Sequence, residues 1–564
     1  MKKYLIYLLL LYPILAICSN VNGNAFLDND SNHSGITIKF LPVSGSAEYA
    51  EGITDSNGIF NVSVISGVYI ISYEKIGYQS YTIDNQFISD DITLSDVTLN
   101  SSTIVYVSGN VSGNWISSNT YIVTGDITVP EGEVLNIEPN TEIKFDGFYS
   151  LLVNGTINAA GQQDNYIRFT SNNNNPTIEN WNHIVIDSNE DNILDYCIIE
   201  YGQEFNADNN GIITVYGKIT VSNSIIRDSD DIGISVKGSG NVLLIGNKIS
   251  NCSLGILVSS NSSGSIDIIE NEIYNNEFKG MYINLTSATT TISQNIIHNN
   301  NFHGIQSWAD VIIDRNIIFN NIDGIFIVEG QPNIINNTII FNNDGIVLSD
   351  IDTYNPNPII DSNIFYDNVN YGIRSEGVPM PSVVTHNLFY NNGSGVGNNL
   401  PVGVGTIVTE NNNGTDSDTF YNIFDEPSFV SINPIESDFC ELLESSEAIN
   451  AGNPNIDNPF NSSIIDIGAR EFEGNLSVNE FSNNNKIIVY PNPINDFVSI
   501  KSSNKEFNKV SIYDINGKLI KNINQPSLGF EMTLQISDFL KTGFYFFKIF
   551  EDDTLISTIK ILKN

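Results

Sequence analysis

Asn295-Ile296-Ile297-His298-Asn299-Asn300-Asn301-Phe302-His303-Gly304-Ile305 is followed 21 residues later by Asn316-Ile317-Ile318-Phe319-Asn320-Asn321-Ile322-Asp323-Gly324-Ile325. The pattern recurs eight times between residues 223 and 398. Its asparagine column is Asn223, Asn247, Asn271, Asn295, Asn316, Asn337, Asn363 and Asn387. Two places on stands a large apolar residue: Ile225, Ile249, Ile273, Ile297, Ile318, Ile339, Phe365 and Phe389. Eight to ten residues after each asparagine comes a glycine, from Gly233 through Gly255, Gly280, Gly304, Gly324, Gly345 and Gly372 to Gly395, and an apolar residue follows every one.

A fixed period of 21 to 26 residues is the mark of a solenoid, in which each repeat stacks on the last. The residue types choose the kind of solenoid. Short alternating runs of Ile, Val, Phe and Tyr are strand residues, and the Asn, Asp, Gly and Ser between them make turns. No run has helical spacing. A repeat of this size holds three short strands and three turns, which predicts a right-handed, three-sheet parallel β-helix. Like residues then stack about 4.8 Å apart, and stacked asparagines can hydrogen-bond along the axis. The glycine column fits turns with φ > 0 or close packing between coils. Residues 104–425 have length for about 13 coils, roughly 60 Å at strand spacing. The expected class is all-β, with this solenoid flanked by two small antiparallel β-sandwich domains.

Composition narrows the partners. The formal net charge is −41 with only 24 Lys and Arg, which excludes nucleic acid, because phosphate recognition needs a basic surface. Ten of the 24 lie after residue 477 and ten more are spread over residues 104–470, so the solenoid itself is acidic. Cys197, Cys252 and Cys440 are far apart with no CxxC, so neither a thiolate metal site nor a disulfide framework is implied.

Taken in order, residues 1–19 read as a secretory signal, with Lys2 and Lys3 ahead of an apolar Tyr4 to Ile17. No later stretch has the 18 or more apolar residues of a membrane span. Residues 21–100 alternate as half-buried strands, for example Ile36 to Phe40 and Phe60 to Val64. Asn32-His33-Ser34-Gly35-Ile36-Thr37, Thr54-Asp55-Ser56-Asn57-Gly58-Ile59-Phe60 and Gly67-Val68-Tyr69 with Glu74-Lys75-Ile76-Gly77-Tyr78 resemble the carboxypeptidase regulatory-like domain, which implies a non-catalytic accessory sandwich. The solenoid with its end caps is expected over 104–471. Trp115 and Tyr121 are candidates for its first cap, and residues 425–471 for the second, since open strand edges need covering. Within it, Leu152-Val153-Asn154-Gly155-Thr156-Ile157 and Asp195 to Gly202 are similar to segments of secreted bacterial β-helix proteins of the pectin-lyase-like type.

Residues 474–485 are a polar linker. Residues 486–564 contain Val489-Tyr490-Pro491-Asn492-Pro493, Val510 to Lys518, Leu540 to Ile549 and the terminal Ile559 to Lys563. Together these closely resemble the C-terminal sorting domain of type IX secretion substrates. That resemblance implies a small antiparallel sandwich recognised by the type IX machinery. It places the protein outside the cell or on the outer surface of a Gram-negative bacterium, reached through the periplasm.

Side chains after the glycine column should alternate between core and solvent. The outward positions bring Tyr282, Gln306, Phe326 and Arg374 into one column, with Asn284, Trp308 and Glu376 two places on. Aromatic faces stack on sugar rings, and amides and charges bond hydroxyls. This strip is the candidate glycan-binding surface of an adhesin-like or scaffold protein. Burial under a loop, as a secondary core, is the competing account of the same rings. A polysaccharide lyase or glycoside hydrolase on the same groove is the alternative function. A lyase needs cations and a base, for which Lys237, His303, Arg315 and Arg374 are candidates. A hydrolase needs paired carboxylates, for which Asp230 and Asp231 stand nearest to the pattern. The binding reading requires no cofactor. Asp228-Ser229-Asp230-Asp231 and Asp28-Asn29-Asp30 carry the oxygen ligands that Ca²⁺ takes, and they serve equally as solvated turns.

Overall fold

The computed structural model describes residues 18–44, 48–75, 77–173, 180–203, 210–284, 286–351, 354–377, 380–456, 458, 464–472, 487–490, 497–502, 506–514, 518–529, 531–536, 540–541, 543–551 and 554–563. Most of the expected signal (residues 1–17) and the expected linker 474–485 lie outside them. The chain forms two compact units, residues 1–472 and 473–564. Every regular element among the described residues is a strand.

The first unit opens with two facing sheets. Strand Cys18–Leu27 pairs antiparallel with Ile59–Ile65 and parallel with Ile92–Thr93 and Val97–Leu99. The second sheet runs Ala50–Ile53, Thr37–Ser44, Gly67–Glu74, Tyr81–Ile88, all antiparallel. Alternation sends Val21, Ile38, Phe40, Phe60, Val62 and Tyr73 into the core between them. The turn before Ile59 is closed by Asp55, whose Oδ1 accepts from the backbone N–H of Asn57 and Ile59.

The solenoid follows. Its first face (A) is a 12-stranded parallel sheet from Gly113–Trp115 to Val383–Thr385. Each coil then turns into a short strand of a second face (B) and a strand of a third (C). One coil, for example, is Val311–Asp314, Ile317–Phe319 and Asp323–Ile327. Twelve strands on face A are fewer than the length allowed for, because early coils are long: the register Asn158 to Ile193 spans 35 residues. Ile292, Ile297, Ile305 and their equivalents fill one continuous apolar core. Trp115 stacks on Tyr121 at 4.3 Å near the first end, and both rings belong to the main core.

The asparagine column is a buried amide ladder. Asn316 Nδ2 donates to Asn337 Oδ1 at 2.9 Å in the next coil and to the Ile292 carbonyl at 2.9 Å in the previous one. The same link runs from Asn247 through Asn271, Asn295, Asn337, Asn363 and Asn387 to Asn422. Asn223 does not belong to it. It is exposed, with φ 47°, and Ser224 takes the ladder position, its N–H donating to Asn247 Oδ1. Ile226, not Ile225, therefore pairs with Ile249.

A second ladder, five residues on, was not anticipated. It comprises Asn276, Asn300, Asn321, Asn342, Asn368 and Asn392, joined Nδ2 to Oδ1 at 2.8 to 3.3 Å. The +5 spacing was visible in the sequence. The residue before each ladder asparagine turns the corner in the left-handed region, as at Asn299 (φ 54°) and Asn320 (φ 54°). The glycine column has the other of its two expected causes. From Gly233 to Gly345 a Cβ would sit 2.4 to 2.7 Å from the carbonyl oxygen of the next glycine, so close stacking demands glycine. Only Gly395 in that column has positive φ.

Face B is covered along its length. The N-terminal sandwich lays Leu41 and Ile70 on Ile198, Ile225 and Tyr274. Beside this apolar contact, Arg168 donates to Glu74 Oε1 of the sandwich at 2.8 Å and to Glu200 Oε1 at 2.7 Å. Arg227 Nη2 holds Glu200 Oε2 at 2.7 Å. Glu200 is fully buried, and the two guanidiniums hold its carboxyl down to about 2 against burial. The other half of face B is covered by the closing segment. Phe439 and Cys440 pack on Ile317, Phe319 and Ile340, and Leu442, Ala448 and Ile467 on Ile364 and Leu388. Ala469 N donates to Thr338 Oγ1 at 2.9 Å. Residues 425–471 thus run back along the side of the solenoid instead of closing its end. The end is met by Leu400, Val404 and Phe424, packed against the main core.

The second unit has a three-stranded sheet (Ile487–Tyr490, Phe497–Ser502, Glu531–Gln535) and a four-stranded one (Leu519–Gly529, Phe507–Asp514, Gly543–Glu551, Thr554–Lys563). Both are antiparallel around Val498, Ile500, Val510, Ile512, Phe547 and Ile549. The expected small sandwich is present.

Candidate functional site on the third face

Register places the expected column together. Tyr282 pairs with Gln306, Gln306 with Phe326, Phe326 with Val347, and Val347 with Arg374. The column is not uniformly open. Gln306 is 8 % and Phe326 9 % exposed, while Tyr282, Asn284, Trp308, Arg374 and Glu376 are partly exposed. Phe326 packs with Val328 and Val347 under Trp308 and Tyr354, and the Trp308 and Tyr354 rings meet edge-on at 5.3 Å. The secondary-core account therefore holds for Phe326, which is a floor. Trp308 is the ring between that floor and solvent. Lys279 Nζ sits 4.6 Å over the Tyr282 ring, a cation–π contact that fixes its plane.

The titratable groups are arranged beside this strip. His303 Nδ1 lies 3.0 Å from Asp323 Oδ2, and its ring is held between Phe302 and Phe326. Burial lowers the His303 pKa, with Asp323 pulling the other way. Arg374 Nε donates to Asp344 Oδ2 at 2.8 Å and Nη1 to Glu376 Oε1 at 2.7 Å. The other cations considered for a lyase are engaged too: Lys237 with Asn210 Oδ1 at 2.6 Å and Arg315 with Asp314 Oδ2 at 2.6 Å. They are not brought together on one surface.

Asp230 and Asp231 stay apart from His303. Their strand, Ile225–Val236, is separated from that of His303 by Lys248–Val258 and Met281–Ile283, and Asp231 Oδ1 accepts from Ile232 N–H. Among the described residues no three His, Cys, Asp or Glu are grouped to hold a metal ion. Asp228 Oδ1 accepts from Asn251 Nδ2 at 3.0 Å, and its Oδ2 lies 3.4 Å from Arg227 Nε. Asn29 Nδ2 donates to Asp28 Oδ2 in the other acidic turn. Cys197, Cys252 and Cys440 are buried and unpaired in disulfides, and burial pushes each thiol well up.

Comparison with known proteins agrees with this architecture. Residues 155–311 and 307–420 match the family described as right handed beta helix region. Residues 488–564 match the secretion system C-terminal sorting domain. No curated protein sequence matches the chain. Among solved structures, the chain is similar to a type II cohesin–X-dockerin complex from Acetivibrio cellulolyticus, at 23 % identity and TM-score 0.13. That match covers 15 % of this chain and spans only 58 % of the other. A pectate lyase is similar at 13 % identity over 66 % of this chain and 97 % of the other, TM-score 0.36. The A-module of an Azotobacter vinelandii mannuronan C-5 epimerase is similar at 14 % identity over 53 % and 88 %, TM-score 0.37. The chain is a parallel β-helix protein carrying a sorting domain of type IX secretion, and it is marked for secretion or cell-surface export.

Proposed function

We propose that the exported solenoid binds polysaccharide along face C, in an adhesin-like or scaffold role. The observation that carries this reading is the pair of partly exposed, braced rings on adjacent coils, Tyr282 under Lys279 and Trp308 against Tyr354. Asn284 flanks them, and the Arg374–Glu376 pair lies three strands beyond Trp308. That distance, about 14 Å at strand spacing, suits an extended chain lying across strands. Rings already fixed in plane lose little side-chain freedom when a sugar stacks on them. Gln306 and Phe326 serve as the support beneath.

A polysaccharide lyase or hydrolase on the same face is the second reading. The His303–Asp323 contact favours it, since an imidazole oriented by a carboxylate is the usual form of a general base. Against it, both residues are buried, and Arg374 is already neutralised by two carboxylates. Affinity electrophoresis of the full chain in gels containing plant and algal polysaccharides tests the binding reading. Retention by at least one polymer is expected, and Trp308→Ala with Tyr282→Ala should abolish it. Equal retention of the variant and the parent protein would remove face C from consideration.

A further inference from the structure

A crevice of about 270 Å³ opens at the seam between the N-terminal sandwich and face B, away from the strip just described. Its sandwich wall is Leu41, Pro42, Ile70 and the exposed ring of Tyr49. Its solenoid wall carries Tyr201, Asp228, Ser250, Asn251 and Tyr274. Seams between packed domains are where small-ligand sites form preferentially, and this one has two chemically distinct sides.

The polar side is fixed in place. Asn251 Nδ2 donates to Asp228 Oδ1 at 3.0 Å, so a carboxylate and an amide stand edge to edge at the mouth. Arg227 Nε stands off from Asp228 Oδ2 at 3.4 Å, because that guanidinium is committed to Glu200. Tyr201, Asp228 and Asn251 all hold left-handed backbone, with φ of 65°, 54° and 53°. Asn and Asp tolerate that region, but a bulky tyrosine pays steric strain there. The rings of the lining are Tyr49, whose hydroxyl donates to Glu51 Oε2 at 2.7 Å, and Tyr274, stacked on His298 at 5.1 Å.

We propose that this seam crevice is a binding site for a neutral sugar residue, such as the end of an oligosaccharide. A pyranose ring has an apolar face for Tyr49 and vicinal hydroxyls that donate to Asp228 and exchange hydrogen bonds with Asn251. An acidic sugar is disfavoured, since a carboxylate, Asp228, lines the crevice and the nearby guanidiniums of Arg168 and Arg227 are already paired with Glu74 and Glu200. The volume limits the occupant to one or two residues. The proposal is independent of the face C reading, because it uses none of the same side chains.

Saturation-transfer NMR on the full chain tests it, with cellobiose, xylobiose, laminaribiose, mannobiose and a glucuronate disaccharide as probes. At least one neutral disaccharide should receive transfer and the glucuronate disaccharide should not. Tyr49→Ala, at an exposed ring, should weaken binding by about tenfold. Asn251→Gly, which keeps the left-handed backbone while removing the amide, should do likewise, both changes being read in a Tyr282→Ala, Trp308→Ala background that removes any contribution of face C. Transfer to none of the neutral probes, transfer to the acidic one alone, or binding unaffected by Tyr49→Ala would each overturn the assignment. Loss of binding in Trp308→Ala with Tyr49→Ala unaffected would place the sugar on face C.

Discussion

At the scale of single residues, the buried amides hold the coils together. Asn316 donates to the coils on both sides and accepts from Asn295 N–H and Nδ2. Asn316→Ala strands several buried partners and should cost roughly 2–4 kcal/mol, at about 1–3 kcal/mol for each unsatisfied group. Asn223→Gly, one place off the ladder and exposed, should stay within about 0.5 kcal/mol. Urea denaturation of the two variants separates them; equal losses would refute the ladder as drawn. Burial also depresses His183 and His386 to about 4 from an ordinary 6.5. Both are neutral when folded, so below pH 6.5 the unfolded chain takes up protons that the folded chain refuses. Their effect on stability is nil above pH 6.5, grows as the pH falls to about 4, and is constant below. Each depressed unit is worth about 1.4 kcal/mol. These two histidines therefore lower the melting temperature over this window, and His386→Gln should raise it relative to the parent protein at pH 4 to 5 while leaving it unchanged above pH 7.

At the scale of elements, the salt-bridged seam joins the sandwich to the solenoid. Glu200→Gln leaves Arg168 and Arg227 buried with a weaker partner, and Glu200→Ala leaves them with none there. Removing one member of a buried pair costs about 3–5 kcal/mol. Limited proteolysis of Glu200→Ala should release a fragment ending near residue 103, while the parent protein should resist cutting there. Equal resistance would show that the apolar contact of Leu41 and Ile70 alone suffices. This seam was not legible in the sequence. The inward columns could be read because stacking repeats them every coil, and Ile297, Ile318 and Ile339 occupy the same place. Arg168 meets Glu74 across 94 residues, and Ala469 meets Thr338 across 131. Contacts of that kind leave no period. For the same reason the run of residues 425–471 along face B, and the burial of Phe326 under Tyr354, had to be seen in the fold. Tyr282, Gln306, Phe326 and Arg374 were correctly brought into one column, since register follows from the repeat; their exposure depends on a loop that the repeat does not contain.

At the scale of the whole molecule, the chain joins an export address to a solenoid with a partly exposed, ring-bearing strip on face C. A reporter fused to residues 478–564 should reach the exterior of a type IX-competent host, and retention inside would refute the address. The strongly acidic charge of −41 opposes polyanions at low salt, so neutral polymers should be held more tightly than uronate polymers on face C. The central claim is that this face binds without cleaving. It is tested most directly by incubating the full chain with each polymer it retains, then measuring new reducing ends and the ultraviolet absorbance of unsaturated uronate ends. The account predicts that neither rises above a protein-free control, whereas a sustained rise in either, lost in His303→Ala, would contradict it and make the His303–Asp323 pair catalytic.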